Sequence, residues 1–193
     1  MVTGAILAGG RSSRFGRNKA VEVFRGKRLI NHSLEGICVH CDPVFVVAND
    51  LEPYLDLQAT LIRDLIPHQG PIGGIQTALI SSPHEWVFIK AADMPFFVPE
   101  LFRMMLDSTR DADLVIPVHG KLFEPLLALY NRRCIPAIAS VLKSGERSVT
   151  AIFEKLRLKT IGEEQWRIVD AEGSSFLNVN TPEDWAELTA KFC

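Results

Sequence analysis

The side chains able to do chemistry fall in a few short stretches. The first is Leu7-Ala8-Gly9-Gly10-Arg11-Ser12-Ser13-Arg14-Phe15-Gly16-Arg17-Asn18-Lys19. Paired glycines let backbone N–H groups approach an anion closely, because no Cβ intervenes. Arg11, Arg14, Arg17 and Lys19 add charge-assisted donors at the same place. Between Arg11 and Arg28 seven basic residues accompany one acid, Glu22, in a chain whose net charge is −2. A basic focus on a slightly acidic protein points to a compact anionic ligand, and away from nucleic acid, which usually meets a basic domain.

Carboxylates and amides supply the other candidates. Asp93 follows the apolar run 86–90, and Met94-Pro95 stops the chain from continuing as sheet. A carboxylate exposed there can hold a hard cation through oxygen. Asp64 ends another apolar run. Asn178 and Asn180 flank Val179, and alternate residues of an extended segment share a face. Both amides can therefore bind an acceptor or a metal-bound water. The thiols offer less. Cys38 and Cys41 form a C-x-x-C with no second close pair, and Cys134 and Cys193 stand alone, so all four read as ordinary thiols. No convincing Ser–His–Asp or Cys–His set accompanies these groups.

The elements that must position them alternate. Strands are expected at 2–7, 43–48, 59–63, 86–90 and 114–116, with helices at 29–39, 73–81 and 99–108. The nearly all-apolar strands imply burial on both faces of a parallel sheet, and the alternation implies an α/β fold with right-handed crossovers. Ligands in such sheets sit at the carboxyl ends of the strands, where the glycine loop, Asp64 and Asp93 all fall. In the second half, 124–130 reads as a strand, 135–142 and 148–156 as helices, and 158–161 and 166–169 as extended. Residues 20–24 read as a short extended piece. Thr181, Pro182 and Asp184 fit N-cap, N1 and N3 of a last helix, with Trp185, Leu188 and Phe192 on one face. No repeat or linker interrupts the 193 residues, as expected of a single domain. No apolar run reaches the ~18 residues of a membrane span, and there is no signal-peptide pattern, so a cytoplasmic protein without membrane partners is expected.

Two familiar phosphate motifs are missing: G-x-x-x-x-G-K-[ST] and G-x-G-x-x-G. The pattern L-A-G-G-x-S-x-R-F-G-x-x-K instead resembles the signature loop of molybdenum cofactor guanylyltransferases, within the nucleotidyltransferases. The resemblance continues in order through Asp64, Gly70-Pro71-x-Gly73-Gly74, Asp93-x-Pro95 and Asn178-x-Asn180-Thr181-Pro182. It implies a three-layer, Rossmann-like nucleotidyltransferase fold of the nucleotide-diphospho-sugar transferase kind. Residues 1–112 would bind nucleotide and residues 113–193 the acceptor.

The same resemblance implies GMP transfer from GTP to the phosphate of molybdopterin or molybdenum cofactor, with pyrophosphate released and Mg²⁺ on Asp93. Arg14 and Lys19 would hold phosphates. Leu7, Ala8, Gly9, Gly10, Lys19, Asp64, Gly73 and Asp93 would contact the nucleotide, and Asn178 and Asn180 the acceptor. Gly73 would open a helix whose dipole favours phosphate. Ala92 stands where the family has a cysteine. Some relatives place an asparagine contact where this chain has Val47 and Ala48, just before Asn49. Cofactor-assembly proteins or molybdoenzymes are expected partners. Cytidylyl transfer, nucleotidyl transfer to another phosphorylated acceptor, and a GTP-binding delivery module without catalysis stay open.

Overall fold

The computed structural model describes residues 1–9 and 18–192. Strand β1 is Thr3–Leu7. The short strands β2 (Val23–Phe24) and β3 (Lys27–Arg28) pair antiparallel and lead into α1 (Leu29–Cys38). Then come β4 (Val44–Ala48), β5 (Thr60–Arg63), α2 (Pro71–Ser81), β6 (Trp86–Ala91) and α3 (Pro99–Asp107). The second half holds β7 (Leu114–His119), β8 (Leu122–Phe123), β9 (Leu127–Asn131), α4 (Ile135–Lys143), β10 (Leu158–Ile161), α5 (Glu163–Trp166) and α6 (Pro182–Phe192).

One sheet runs through the molecule in the order β10-β7-β9-β6-β1-β4-β5, with β8 paired to β7. Neighbours are parallel except for β9, which is antiparallel to both β6 and β7, and β8, which is antiparallel to β7. Every residue of β1 is buried, so its alternation serves two cores. Ile6 faces α1 and α3 with Ile30, Leu34, Ile37, Leu101 and Phe102. Ala5 and Leu7 face α2 and α4 with Ile72, Ile75, Leu79, Ile138 and Val141. The result is the expected three-layer α/β domain with a mostly parallel sheet.

Several local expectations change. Residues 20–24 are not one extended piece: Asn18 caps a 3-10 turn at Lys19–Val21, its Oδ1 accepting from Ala20 N at 3.1 Å. The helix expected from Gly73 starts at Pro71, because Gly70 takes φ 70° and Pro71 fits the first helical turn. Residues Val149–Lys155 form a 3-10 helix. The segment 166–169 is not extended. Gln165 Oε1 accepts from Gly162 N at 2.9 Å, the chain coils, and Trp166 drops into the core with its indole N–H on Val118 O at 2.8 Å. The last helix starts as its sequence demands, with Asp184 Oδ2 accepting from Thr181 N at 2.8 Å and Thr181 Oγ1 accepting from Asp184 N at 3.1 Å. Its Leu188 packs with Phe24, Leu29 and Val179, flanked by Trp185 and Phe192.

Candidate active site

Three hydrogen bonds carry the parallel ladder past the strand ends. Ala8 N donates to Val47 O at 2.9 Å, Ala92 N to Leu7 O at 3.1 Å, and Asp64 N to Ala48 O at 3.0 Å. They set Gly9, Asp64 and Asp93 along one edge, at the carboxyl ends of β1, β5 and β6. A cleft opens there, lined by Leu7, Ala8, Gly9, Asn18, Lys19, Pro71, Asp93 and Leu126.

Lys19 is the junction of the cleft. Its Nζ donates to Asp93 Oδ2 at 2.7 Å and to Asn180 Oδ1 at 2.8 Å. The Lys19 and Asp93 side chains are 14 % and 20 % exposed, so this pair is screened less than a surface one. The turn presenting Lys19 is anchored by Asn18 Nδ2, which donates to Tyr54 Oη at 2.9 Å, while Tyr54 Oη lies 3.1 Å from Ala8 O and donates to it. Val179 N donates to Asp93 O at 3.1 Å, so the Asn178–Asn180 segment is tied to the Asp93 turn through its own backbone. Asn178 Oδ1 is buried and has no hydrogen-bond partner among the described residues.

Asp64 lies on the other side of Gly9. A Cβ on Gly9 would stand 3.4 Å from Asp64 Oδ2 and 3.4 Å from Asn49 Nδ2, and one on Gly74 would stand 3.6 Å from Asp64 Oδ1. Asp64 Oδ1 is buried without a partner among the described residues. Burial pushes this carboxyl above its usual range, partly offset by the Thr77 hydroxyl and by His68. Gly73 faces away from the carboxylate: its missing side chain leaves room for Gln69 Cβ, which would come within 2.7 Å. Gly74 is the glycine that packs on Leu7 and Asp64. The candidates Gly10 and Arg14 lie outside the described residues.

Three supporting side chains carry no motif in the sequence. Tyr54 sits in a short 3-10 turn with nothing around it to mark it. Lys90 is fully buried inside β6, donating to Met94 O and to Ser33 Oγ at 3.2 Å, while Ser33 Oγ donates to Met94 O at 2.9 Å. This triangle clamps the turn carrying Asp93 to α1. Burial lowers the Lys90 amine to about 7, with Asp93 pulling the other way. The available signal is a lysine within an apolar strand. Glu124, just ahead of Leu126, has its carboxyl raised by burial first and by Asp93 among the other causes.

The donor set fits magnesium. That ion keeps several waters and is typically held by one or two carboxylates together with substrate phosphates. Asp93 is one partly exposed carboxylate beside a cationic turn, and no cluster of three or more metal-binding side chains is present among the described residues.

Known proteins align with this architecture. The MobA-like NTP transferase domain matches residues 4–160. A molybdenum cofactor guanylyltransferase of Desulfosudis oleivorans is 39 % identical over 95 % of this chain and 92 % of its own length. The crystal structure of molybdopterin-guanine dinucleotide biosynthesis protein A from Archaeoglobus fulgidus superimposes with a TM-score of 0.84 at 30 % identity, covering 98 % of this chain and 99 % of that one. A nucleotidyl transferase from Methanothermobacter shares the fold, with a TM-score of 0.77 at 13 % identity over 100 % of this chain and 97 % of its own. With the same order of elements and the motif residues gathered along one sheet edge, the chain belongs to the MobA-like family of molybdenum cofactor guanylyltransferases.

Proposed function

We propose that this protein transfers GMP from GTP to the phosphate of molybdopterin, or of its molybdenum-bound form, in a magnesium-dependent reaction. An acceptor phosphate oxygen forms a bond to the α-phosphorus of GTP. The bond from that phosphorus to the β-phosphate bridging oxygen breaks, and pyrophosphate leaves with the electron pair. The acceptor oxygen is already anionic near neutral pH, so the site needs no strong general base.

The observation that carries this reading is the meeting of Lys19, Asp93 and Asn180 at the carboxyl edge of the sheet. Lys19 would hold phosphate charge, and Arg14 joins it in this proposal. Asp93 would hold magnesium, which when bound supplies neutralisation of charge on the triphosphate. In this proposal Leu7, Ala8, Gly9 and Gly10 contact the nucleotide, and Asp64 and Gly73 join them; Leu7, Ala8 and Gly9 line the cleft beside Lys19 and Asp93. Asn178 and Asn180 orient the acceptor, so residues 113–193 serve mainly the acceptor half. Rate enhancement then comes from positioning and charge complementarity. No helix among the described residues is long and apolar enough to cross a membrane, and the proposed compartment is the cytoplasm.

The test is a pyrophosphate-release assay with molybdopterin, comparing GTP with CTP and varying magnesium. Release from GTP that requires both acceptor and magnesium supports the reading. Preference for CTP, or tight GTP binding without product, contradicts it.

A further inference from the structure

Lys90 stands inside β6 with no exposed surface, paired in register with Ile6, whose face of the sheet packs on α1 and α3. Its amine donates to Met94 O and to Ser33 Oγ. Both partners are neutral, and no carboxylate hydrogen-bonds to it among the described residues. Burying an amine without a counter-ion is unfavourable, and the lowering of this one to about 7 records that penalty. A methionine would fill the same length of core without it. What the amine does, and an apolar side chain cannot do, is hold a backbone carbonyl.

That carbonyl belongs to the turn carrying Asp93. Ala92 N ties the turn to Leu7 O of β1, and Val179 N donates to Asp93 O, both at 3.1 Å. The tie to α1 runs through Met94 O, on which Ser33 Oγ and Lys90 Nζ converge. Pro95 follows and has no N–H to add another. With Asp93 O and Met94 O both held, the peptide planes on either side of Met94 are fixed. The direction in which Asp93 projects its carboxylate is fixed with them.

We propose that Lys90 is a positioning residue: by holding Met94 O from within the sheet it aims the Asp93 carboxylate into the cleft, so that metal affinity and turnover depend on a side chain touching neither metal nor nucleotide. This rests on the proposed role of Asp93 as the magnesium carboxylate. Partners that orient a metal ligand typically alter metal affinity or activity by 10–100-fold when removed. A lysine that served only the core would show the opposite pattern, since its replacement by an apolar side chain would relieve the burial penalty and leave the cleft alone.

The experiment measures Mn²⁺ affinity by electron paramagnetic resonance in the wild type, Lys90→Met, Ser33→Ala and Ile37→Ala. Each protein is saturated with guanosine 5′-(α,β-methylene)triphosphate, whose carbon bridge prevents pyrophosphate release. At pH 8.5 the Lys90 amine is largely uncharged, so the loss of a cation near the metal does not mask the loss of the tether. Lys90→Met should keep its Tm within about 4 °C of the wild type or above it. Its Kd for Mn²⁺ should rise by about tenfold or more, and kcat with GTP should fall by about tenfold or more, while KM for GTP changes by less than about threefold. Ser33→Ala, which leaves Lys90 on Met94 O, should shift Mn²⁺ affinity in the same direction by a smaller factor. Ile37→Ala opens a cavity on the core face of α1 and should lower Tm without moving Mn²⁺ affinity. A folded Lys90→Met protein with wild-type Mn²⁺ affinity and kcat overturns the proposal. So does an equal loss of Mn²⁺ affinity in Ile37→Ala, which would make it a consequence of stability. Where Lys90→Met does not fold, unchanged Mn²⁺ affinity in Ser33→Ala overturns it. A wild type that binds no Mn²⁺ beside the analogue fails the metal role of Asp93, and this proposal with it.

Discussion

Lys19 Nζ lies 2.7 Å from Asp93 Oδ2, joining residues that are 74 apart in sequence. The first belongs to the turn that follows the glycine loop, and the second to the turn that ends β6. Their contact makes two motifs one site. Lys19→Ala and Asp93→Ala should each lower kcat by a factor of at least ~100 in a pyrophosphate-release assay. Because the two groups act as a unit, the double variant should lose far less than the product of the single losses. Fully multiplicative losses would separate the two roles.

Asn180 shares Lys19 with Asp93 and heads the segment assigned to the acceptor. Asn180→Ala should raise KM for molybdopterin about tenfold, the worth of one hydrogen bond to a charged group, while GTP affinity should change by less than about threefold. A matching loss of GTP affinity would move Asn180 to the nucleotide side of the cleft.

Gly9 faces the carboxylate and amide without steric crowding, since a Cβ there would make ordinary contacts at 3.4 Å. Gly9→Ala should fold, with Tm within about 2 °C of the wild type. It should nevertheless weaken GTP binding by about tenfold or more, because the methyl group occupies the space between Asp64 and Asn49. A variant that keeps both Tm and GTP affinity would remove Gly9 from the nucleotide site.

Lys90 gives a pH signature. Its amine titrates near 7 in the folded chain, against 10.5 for an unburied lysine. Between those values the unfolded chain holds the extra proton, so this group makes stability rise with pH across that window. Denaturation of the wild type and of Lys90→Met, compared at pH 7 and pH 9, should show the difference moving toward the wild type by about 1–3 kcal/mol. A pH-independent difference would mean that the buried amine does not titrate in this range.

The repeating units of the fold could be read from the chain because burial writes itself into composition. The all-apolar runs of β1, β4 and β6 announce strands covered on both faces, and Thr181-Pro182-x-Asp184 announces a helix start. Pattern fails where a few contacts outweigh it. Trp166 takes its place through a core pocket and the Val118 carbonyl, which no local periodicity encodes. The same division holds for the site. Lys19, Asp64 and Asp93 sit at strand ends and turns where charge is conspicuous. Tyr54 and Lys90 matter through partners distant in sequence: Ala8 and Ser33 respectively.

The most direct test of the site is a crystal structure of the protein with GTP and Mg²⁺. The α-phosphate and the metal are expected beside Asp93, phosphate oxygens within reach of Lys19, and the base over Gly9 against Asp64. A triphosphate lodged away from Lys19 and Asp93 would contradict that placement.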